Sequence, residues 1–297
     1  MRIPKGGIAF FDSGIGGLTV LNACEKQFPE ALFYYYGDNQ HAPYGNLPAK
    51  KIRRYVFRAF KKFHRLHVSA AVIACNTATA VCVDELRRKF SFPILGAEPA
   101  VCPAALKGGR VVVLATKATC ESERFQRLCQ RTKERFPNAD ICAYACEGLA
   151  GAIERNVHRA DFDFTPYLPK TSADAVVLGC THYIYIVGQI ARYFGCPVYD
   201  GNEGIARRLS EVLCENNSSM KNRDCRPLKV DFDPKLGFVT TKNPNDKISQ
   251  KITNKRSRKI LTKVPKNKQT QGLFFLGKQR DYNKNTHEQM FVWLKGV

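Results

Sequence analysis

The sequence has no C-x-x-C pair and no apolar run long enough to cross a membrane. It contains twelve cysteines, but the closest two, Cys142 and Cys146, are four residues apart. This spacing argues against a zinc or dithiol redox motif. A spanning helix needs about 20 apolar residues, and no run here approaches that length. The first apolar stretch meets Asp12 at once, with no signal-peptide cleavage site after it. We therefore expect a cytoplasmic protein without a membrane contact.

Acidic residues are scarce in the C-terminal third, although the whole chain carries a net charge of +21. Residues 216–297 hold 19 Lys and Arg against 6 Asp and Glu. Within 247–271 there are nine basic residues, no acidic residue and no aromatic residue. Such a block is typical of a solvated segment, and we predict a basic insertion or loop over 242–272. Nucleic-acid contact is the alternative, but the segment lacks aromatic side chains for base stacking.

Apolar strands and amphipathic helices alternate along the first 215 residues. This order predicts an α/β fold with parallel sheets. Hydrophobic residues make up 44% of the chain, which is enough for a full core. The predicted strands are 8–11, 32–36, 70–74, 94–97, 110–115, 141–145, 175–179, 197–199 and 238–241, and the predicted helices include 50–66, 76–90, 164–170 and 202–215. The short apolar runs 273–276 and 291–294 add a predicted strand and helix.

Two parts of the chain share one spacing between polar residues that end strands. Asp12 and Cys75 are 63 residues apart, and Thr116 and Cys180 are 64 apart. We infer two pseudo-symmetric open parallel-sheet domains with the active site in the cleft between them. The first is predicted to comprise 1–97 plus about 207–297, and the second 98–206.

Ligands bind beyond the carboxyl ends of strands in open parallel sheets, and both Cys75 and Cys180 are expected there. Inversion of a stereocentre needs a base on one face and an acid on the other. A thiol, with a pKa of about 8.5, suits either role. Both cysteines directly precede predicted helices, whose N-terminal dipoles favour a thiolate. His182 can tune or relay the proton.

Simpler interpretations exist for each of these residues. Cys75 can be a core thiol, His182 a structural histidine and Asp12 an N-cap. The "GIGG" after Ser13 is not a dinucleotide fingerprint. A Cys/His hydrolase uses the same residue types, but it does not explain why the cysteine pattern occurs twice.

Several short motifs, in order, resemble the glutamate racemases of the aspartate/glutamate racemase family. They are "FFDSGIGGLTV" from Phe10, "YYGDNQHAPYG" from Tyr35, "ACNTAT" from Ala74, "EPAV" from Glu98, "ATKATCES" from Ala115, "GCTHY" from Gly179, "VYDGNEGIA" from Val198 and "GFVTTKNP" from Gly237. The last motif resembles a late segment of the family, and the combination of the others spans Ile8 to about Leu213. It implies an isomerase that interconverts L- and D-glutamate without cofactor or metal and supplies D-glutamate for peptidoglycan.

The resemblance also implies roles for individual residues. Cys75 and Cys180 match the two acid/base thiols, and Asp12, Glu154 and His182 match the assisting polar residues. The matching substrate-binding residues are Asp12, Ser13, Tyr44, Gly45, Asn76, Thr77, Thr119, Thr181 and His182. Backbone N–H groups at helix starts suit the substrate carboxylate. A homodimer is left open.

Two alternatives remain, and three positions depart from the family pattern. The chain can be a racemase of aspartate or another small acid, or a racemase-like regulatory protein whose basic C-terminal region binds nucleic acid. His41 replaces an arginine, Glu147 a proline after Cys146, and Ile184 a proline. These departures affect the expected geometry and efficiency rather than the reaction class.

Overall fold

Two parallel sheets, each flanked by helices, form the part of the protein that the computed structural model describes. This part comprises residues 6–28 and 31–215, with the backbone of 229–233 and 238–242. The first half contains β1 (Ile8–Asp12), α1 (Gly17–Gln27), β2 (Phe33–Gly37), α2 (Ala49–Arg65), β3 (Ala70–Ile73), α3 (Asn76–Lys89) and β4 (Ile94–Gly96). Short 3₁₀ helices, Asn39–His41 and Tyr44–Asn46, follow β2.

The second half repeats this order of strands. It contains α4 (Val101–Ala104), β5 (Gly109–Ala115), α5 (Lys117–Cys120), α6 (Glu123–Arg135), β6 (Ala139–Ala145), α7 (Leu149–Asn156), β7 (Ala175–Gly179), α8 (Val187–Phe194) and β8 (Val198–Tyr199). The last helix, α9 (Asn202–Glu215), returns to the core of the first half. Its 3₁₀ helices are Ala105–Lys107, Thr165–Tyr167 and Thr181–Ile186. The two strand orders are β4-β3-β1-β2 and β8-β7-β5-β6, so β1 corresponds to β5 and β3 to β7. The predicted fold class is confirmed.

The central strands β1, β3, β5 and β7 are buried on both faces along most or all of their length, which explains their uninterrupted apolar runs. Ile8 and Phe10 face the cluster formed with α1 and α9, whereas Ala9 and Phe11 face the cluster formed with α2 and α3. Side chains alternate between the faces of a strand, so one five-residue strand contributes to two cores. β5 likewise divides Val112 and Val113 between two clusters.

The predicted helix over 164–170 was wrong. Only a 3₁₀ turn, Thr165–Tyr167, is present. Pro169 disfavours helical geometry at the residue before it. Leu168 is accordingly extended, with φ −93° and ψ 146°.

Two further strands extend the first sheet beyond the four parallel ones. β9 (Lys229–Asp233) pairs antiparallel with β10 (Phe238–Lys242), which pairs antiparallel with β2. β10 matches the strand predicted at 238–241, and β9 was not predicted. The domain boundaries remain predictions. The basic segment 247–271 and the apolar runs 273–276 and 291–294 lie outside the described residues.

The described helices include none that is long and apolar enough to cross a membrane.

Candidate functional site

The candidate site lies where the strand order of each sheet reverses. β1 has β2 on one side and β3 on the other, and β5 has β6 and β7 in the same way. A crevice opens at such a switch point, beyond the carboxyl ends of the strands. Asp12 ends β1 and Cys75 follows β3, whereas Thr116 follows β5 and Cys180 follows β7. A small cavity lies between the halves and is lined by Asn76, Cys180 and Thr181, among others.

Cys75 directly precedes α3, as the sequence predicted, and its side chain caps the N-terminus of that helix. Its Sγ accepts a hydrogen bond from the backbone N–H of Ala78 at 3.4 Å, and its thiol donates to Oγ of Ser13 at 3.5 Å. Burial, and then the negative charge of Asp12, raise the pKa of Cys75 to about 12. The thiol is therefore protonated at neutral pH and can act as a proton donor. The thiolate expected from the helix dipole was wrong for Cys75, because burial outweighs the dipole.

The prediction that Cys180 directly precedes an α-helix, whose dipole would favour its thiolate, was wrong. A 3₁₀ helix, Thr181–Ile186, follows it, and Cys180 makes no side-chain cap. The 3₁₀ helix has about three residues per turn, which aligns Tyr183 and Ile186 on one side, and both are buried. The partner of Cys180 is instead His182, whose Nδ1 lies 3.7 Å from Sγ.

Glu154, from α7, completes this second group. Its Oε1 lies 2.6 Å from Nε2 of His182, a distance typical of a charge-assisted hydrogen bond. Burial lowers the pKa of His182, but the hydrogen bonds to Cys180 and Glu154 outweigh this effect. The pKa of His182 therefore lies well above its ordinary value. The structure thus places a cationic imidazole between a thiol and a carboxylate.

Asp12 and the glycine-rich turn after β1 link the surroundings of Cys75 to those of Cys180. Its Oδ2 accepts from the backbone N–H of Gly14 at 3.0 Å, and its Oδ1 accepts from Thr181 Oγ1 at 3.3 Å. Burial raises the pKa of Asp12 above its usual range, and the charge of His182 opposes this shift. A Cβ at Gly14 would collide with the Glu154 carboxylate and lie 3.0 Å from His182 Nε2. A side chain at position 14 would therefore displace Glu154 from its contact with His182.

A chain of threonine hydroxyls also joins the two halves. Thr77, in the first turn of α3, is hydrogen-bonded to Thr116 at 2.9 Å, and Thr116 to Thr119 at 3.0 Å. All three residues are buried. Asn76 and Thr77 begin α3, and unpaired N–H groups at a helix start suit a carboxylate ligand.

The predicted loop residues Tyr44 and Gly45 lie beside this chain. Tyr44 is buried and donates to Asp38 at 2.6 Å, and a Cβ at Gly45 would lie 3.0 Å from Thr116. His41, which departs from the family pattern, is 2.8 Å from Asp38 and stacks on Tyr55 with ring centroids 3.8 Å apart. The imidazole therefore contacts the carboxylate that holds Tyr44.

All the predicted site residues lie at the facing ends of the two sheets. Of the other departures, Glu147 is exposed and Ile184 lines the small cavity. The sequence did not single out Tyr35 and Tyr185, because a tyrosine within an apolar run looks like core. Among the described residues, no group of three or more His, Cys, Asp or Glu side chains is arranged to hold a metal ion.

Comparison with known proteins gives a family match over most of the chain. Residues 19–209 match the family model described as Asp/Glu/Hydantoin racemase. A glutamate racemase of Clostridium botulinum strain Okra is 35% identical over 240 residues, covering 77% of this chain and 91% of that protein. A glutamate racemase of Clostridium acetobutylicum is 34% identical over 224 residues, covering 72% and 86%.

Solved structures of two glutamate racemases have a similar fold. The Escherichia coli enzyme, in complex with L-glutamate and the activator UDP-MurNAc-Ala, has a TM-score of 0.63 and 29% identity and covers 73% of this chain and 86% of that one. The Thermus thermophilus enzyme, in complex with β-chloro-D-alanine, has a TM-score of 0.61 and 30% identity and covers 76% and 86%.

Proposed function

Because the chain belongs to the Asp/Glu/Hydantoin racemase family, and is thus an isomerase of the racemase class, we propose that it interconverts L- and D-glutamate. The observation that carries the proposal is the pair of thiols, Cys75 and Cys180, after corresponding strands of two facing sheets. The names of the similar proteins support glutamate as the substrate.

The proposed reaction transfers one proton to each face of the α-carbon. One thiol removes the α-proton as a thiolate, and the other thiol donates a proton to the opposite face. Inversion follows because the two transfers occur on opposite faces. The roles exchange when the other enantiomer binds, so either thiol serves as acid or base.

We propose a different assisting group for each thiol, because the surroundings of the two thiols are unlike. When Cys180 acts as the base, the cationic His182 donates a hydrogen bond to its thiolate, and Glu154 balances the charge of the imidazolium across 2.6 Å. Cys75, protonated at neutral pH, is poised to donate, and the buried Asp12 is the carboxylate near it. Each thiol thereby has one carboxylate-based partner of its own.

The substrate carboxylates are proposed to bind at the first turn of α3 and at the start of the 3₁₀ helix after Cys180. Donors there include the N–H groups of Asn76 and Thr77 and those of Thr181 and His182. Ser13, Tyr44, Gly45 and Thr119 border the same space. Donors aimed at the α-carboxylate stabilise the negative charge that develops as the α-proton leaves.

Isotope exchange in D₂O tests this proposal. Purified protein should incorporate α-deuterium into glutamate and convert each enantiomer to the racemate without added pyridoxal phosphate or metal. Aspartate under the same conditions distinguishes the two small acids. Failure to exchange and invert glutamate would overturn the proposal, and turnover of aspartate alone would assign the other small acid as the substrate. Supply of D-glutamate for peptidoglycan, a cytoplasmic location and a homodimer are further parts of it.

A further inference from the structure

Two tyrosine hydroxyls hold the turn that carries Asp12 and Ser13, and they come from opposite halves. Tyr35, in β2, donates to the carbonyl of Gly14 at 2.9 Å. Tyr185, in the 3₁₀ helix after Cys180, donates to the carbonyl of Ile15 at 2.6 Å. The two carbonyls are consecutive, so both bonds fix the same short turn.

Tyr185 is suited to this contact by its surroundings. Burial raises the pKa of Tyr185 well above its ordinary value, and the charges of Asp12 and Glu154 raise it further. The phenol therefore keeps its proton at neutral pH and remains a donor. Its ring packs at the edge of the second half's core, whereas its hydroxyl reaches the first half.

We propose that Tyr185 is a positioning residue, which fixes the Asp12 turn of the first half against the Cys180–His182 segment of the second. This rests on the proposed racemase function. The Tyr185 hydroxyl contacts the carbonyl of Ile15 rather than either proposed catalytic thiol. Its effect reaches the reaction through the turn that places Asp12 beside Cys75 and Gly14 against Glu154 and His182.

The Tyr185 bond is shorter than the bond from Thr181 that also links these segments. Thr181 Oγ1 reaches Asp12 at 3.3 Å, whereas Tyr185 reaches Ile15 at 2.6 Å. Hydrogen bonds of O–H donors are usually near 2.7–2.8 Å. The tyrosine contact thus has the better geometry and is expected to contribute more to holding the two segments in register.

Tyr185→Phe separates positioning from packing, because it removes the hydroxyl and keeps the ring. Tyr193→Phe is the matched control. Tyr193 also donates to a backbone carbonyl, that of Pro169 at 3.4 Å, but within the second half and away from the site. Both variants should fold, which thermal unfolding checks.

The kinetic test measures kcat and KM for glutamate in both directions. Loss of one neutral hydrogen bond should lower kcat of Tyr185→Phe roughly three- to tenfold, with KM changed less than about twofold. Tyr193→Phe should retain the wild-type kcat. An unchanged kcat in Tyr185→Phe, or an equal loss in Tyr193→Phe, would overturn the proposal.

Amide hydrogen exchange tests the contact without any substrate. Peptides covering residues 12–20 should exchange faster in Tyr185→Phe than in the wild type and in Tyr193→Phe. Equal exchange in all three would contradict the positioning role. If the wild type proved inactive on glutamate, the proposed function would fail, and the exchange data would still decide whether Tyr185 holds the turn.

Discussion

The two halves share one strand order but surround their thiols differently. Cys75 follows β3, caps α3 and is a neutral thiol bonded to a serine hydroxyl and an amide N–H. Cys180 follows the corresponding β7, but a 3₁₀ helix comes next and a cationic imidazole lies beside the thiol. Pseudo-symmetry of the backbone therefore places two similar groups, and the local side chains then make their chemistry unlike.

Removing either thiol should have the largest effect. We expect Cys75→Ser and Cys180→Ser each to lower the rate of racemisation by about 10²–10⁴-fold, the usual contribution of a positioned acid or base. Circular dichroism of the reaction mixture measures the rate. Cys24→Ser is a matched control, because Cys24 is a buried residue of α1 that packs in the core of the first half. A variant of either proposed thiol that retained the wild-type rate would refute its role.

Removing the charge behind His182 should have the next largest effect. Glu154→Gln keeps the shape of the side chain but leaves the buried imidazolium without its anionic partner. Hydrogen bonds to charged groups contribute about 1.5–3 kcal/mol, so we expect kcat/KM to fall roughly 10- to 100-fold. Since Glu154 helps to hold the pKa of His182 high, the pH–rate profile should also shift to lower pH. Glu123→Gln, on the exposed surface, should match the wild type. An unshifted pH–rate profile would show that Glu154 does not control the protonation of His182.

Breaking the hydroxyl chain between the halves should have a smaller effect. Thr77→Val removes the bond to Thr116, which keeps its bond to Thr119. One neutral hydrogen bond contributes about 0.5–1.5 kcal/mol, so kcat/KM should fall roughly two- to tenfold. Thr132→Val is the control, because Thr132 is buried in α6 and its hydroxyl donates within that helix, to the carbonyl of Leu128. A similar loss of kcat/KM in both variants would mean that replacing any buried threonine disturbs the packing, and it would contradict a specific role for the Thr77–Thr116 bond.

The remaining effect should be on stability at high pH, outside the neutral range in which the thiols act. The pKa of Cys75 is about 12 in the folded protein, whereas an ordinary thiol titrates near 8.5. The folded state therefore holds the proton more tightly, and this contribution to stability, present below about pH 8.5, is lost as pH rises through about 12. Cys75→Ser does not titrate there, so its free energy of unfolding should fall less steeply above pH 9. The slopes should differ by at most about 1.4 kcal/mol per pH unit.

Chemical denaturation at several pH values measures this slope. Cys214→Ser, at an exposed thiol, should follow the wild type. Parallel curves for the wild type and Cys75→Ser would contradict a neutral buried thiol.

The sequence predicted the fold and the positions of the thiols because both depend on local patterns. Apolar runs that end in small polar residues mark the carboxyl ends of buried parallel strands, and this rule found Asp12, Thr116 and both cysteines. It could not find Tyr185, since a tyrosine hydroxyl that crosses between halves leaves no periodic signal. The 3₁₀ helix after Cys180 depends on how Tyr183 and Ile186 pack, which tertiary structure decides.

The most direct test of the two-sided arrangement is α-proton exchange in D₂O from each glutamate enantiomer separately, for the wild type, Cys75→Ser and Cys180→Ser. The wild type should exchange and invert both enantiomers. Each variant should lose inversion but retain exchange from one enantiomer only, and the retained enantiomer should differ between the two variants. Retention of the same enantiomer by both variants would contradict thiols acting on opposite faces.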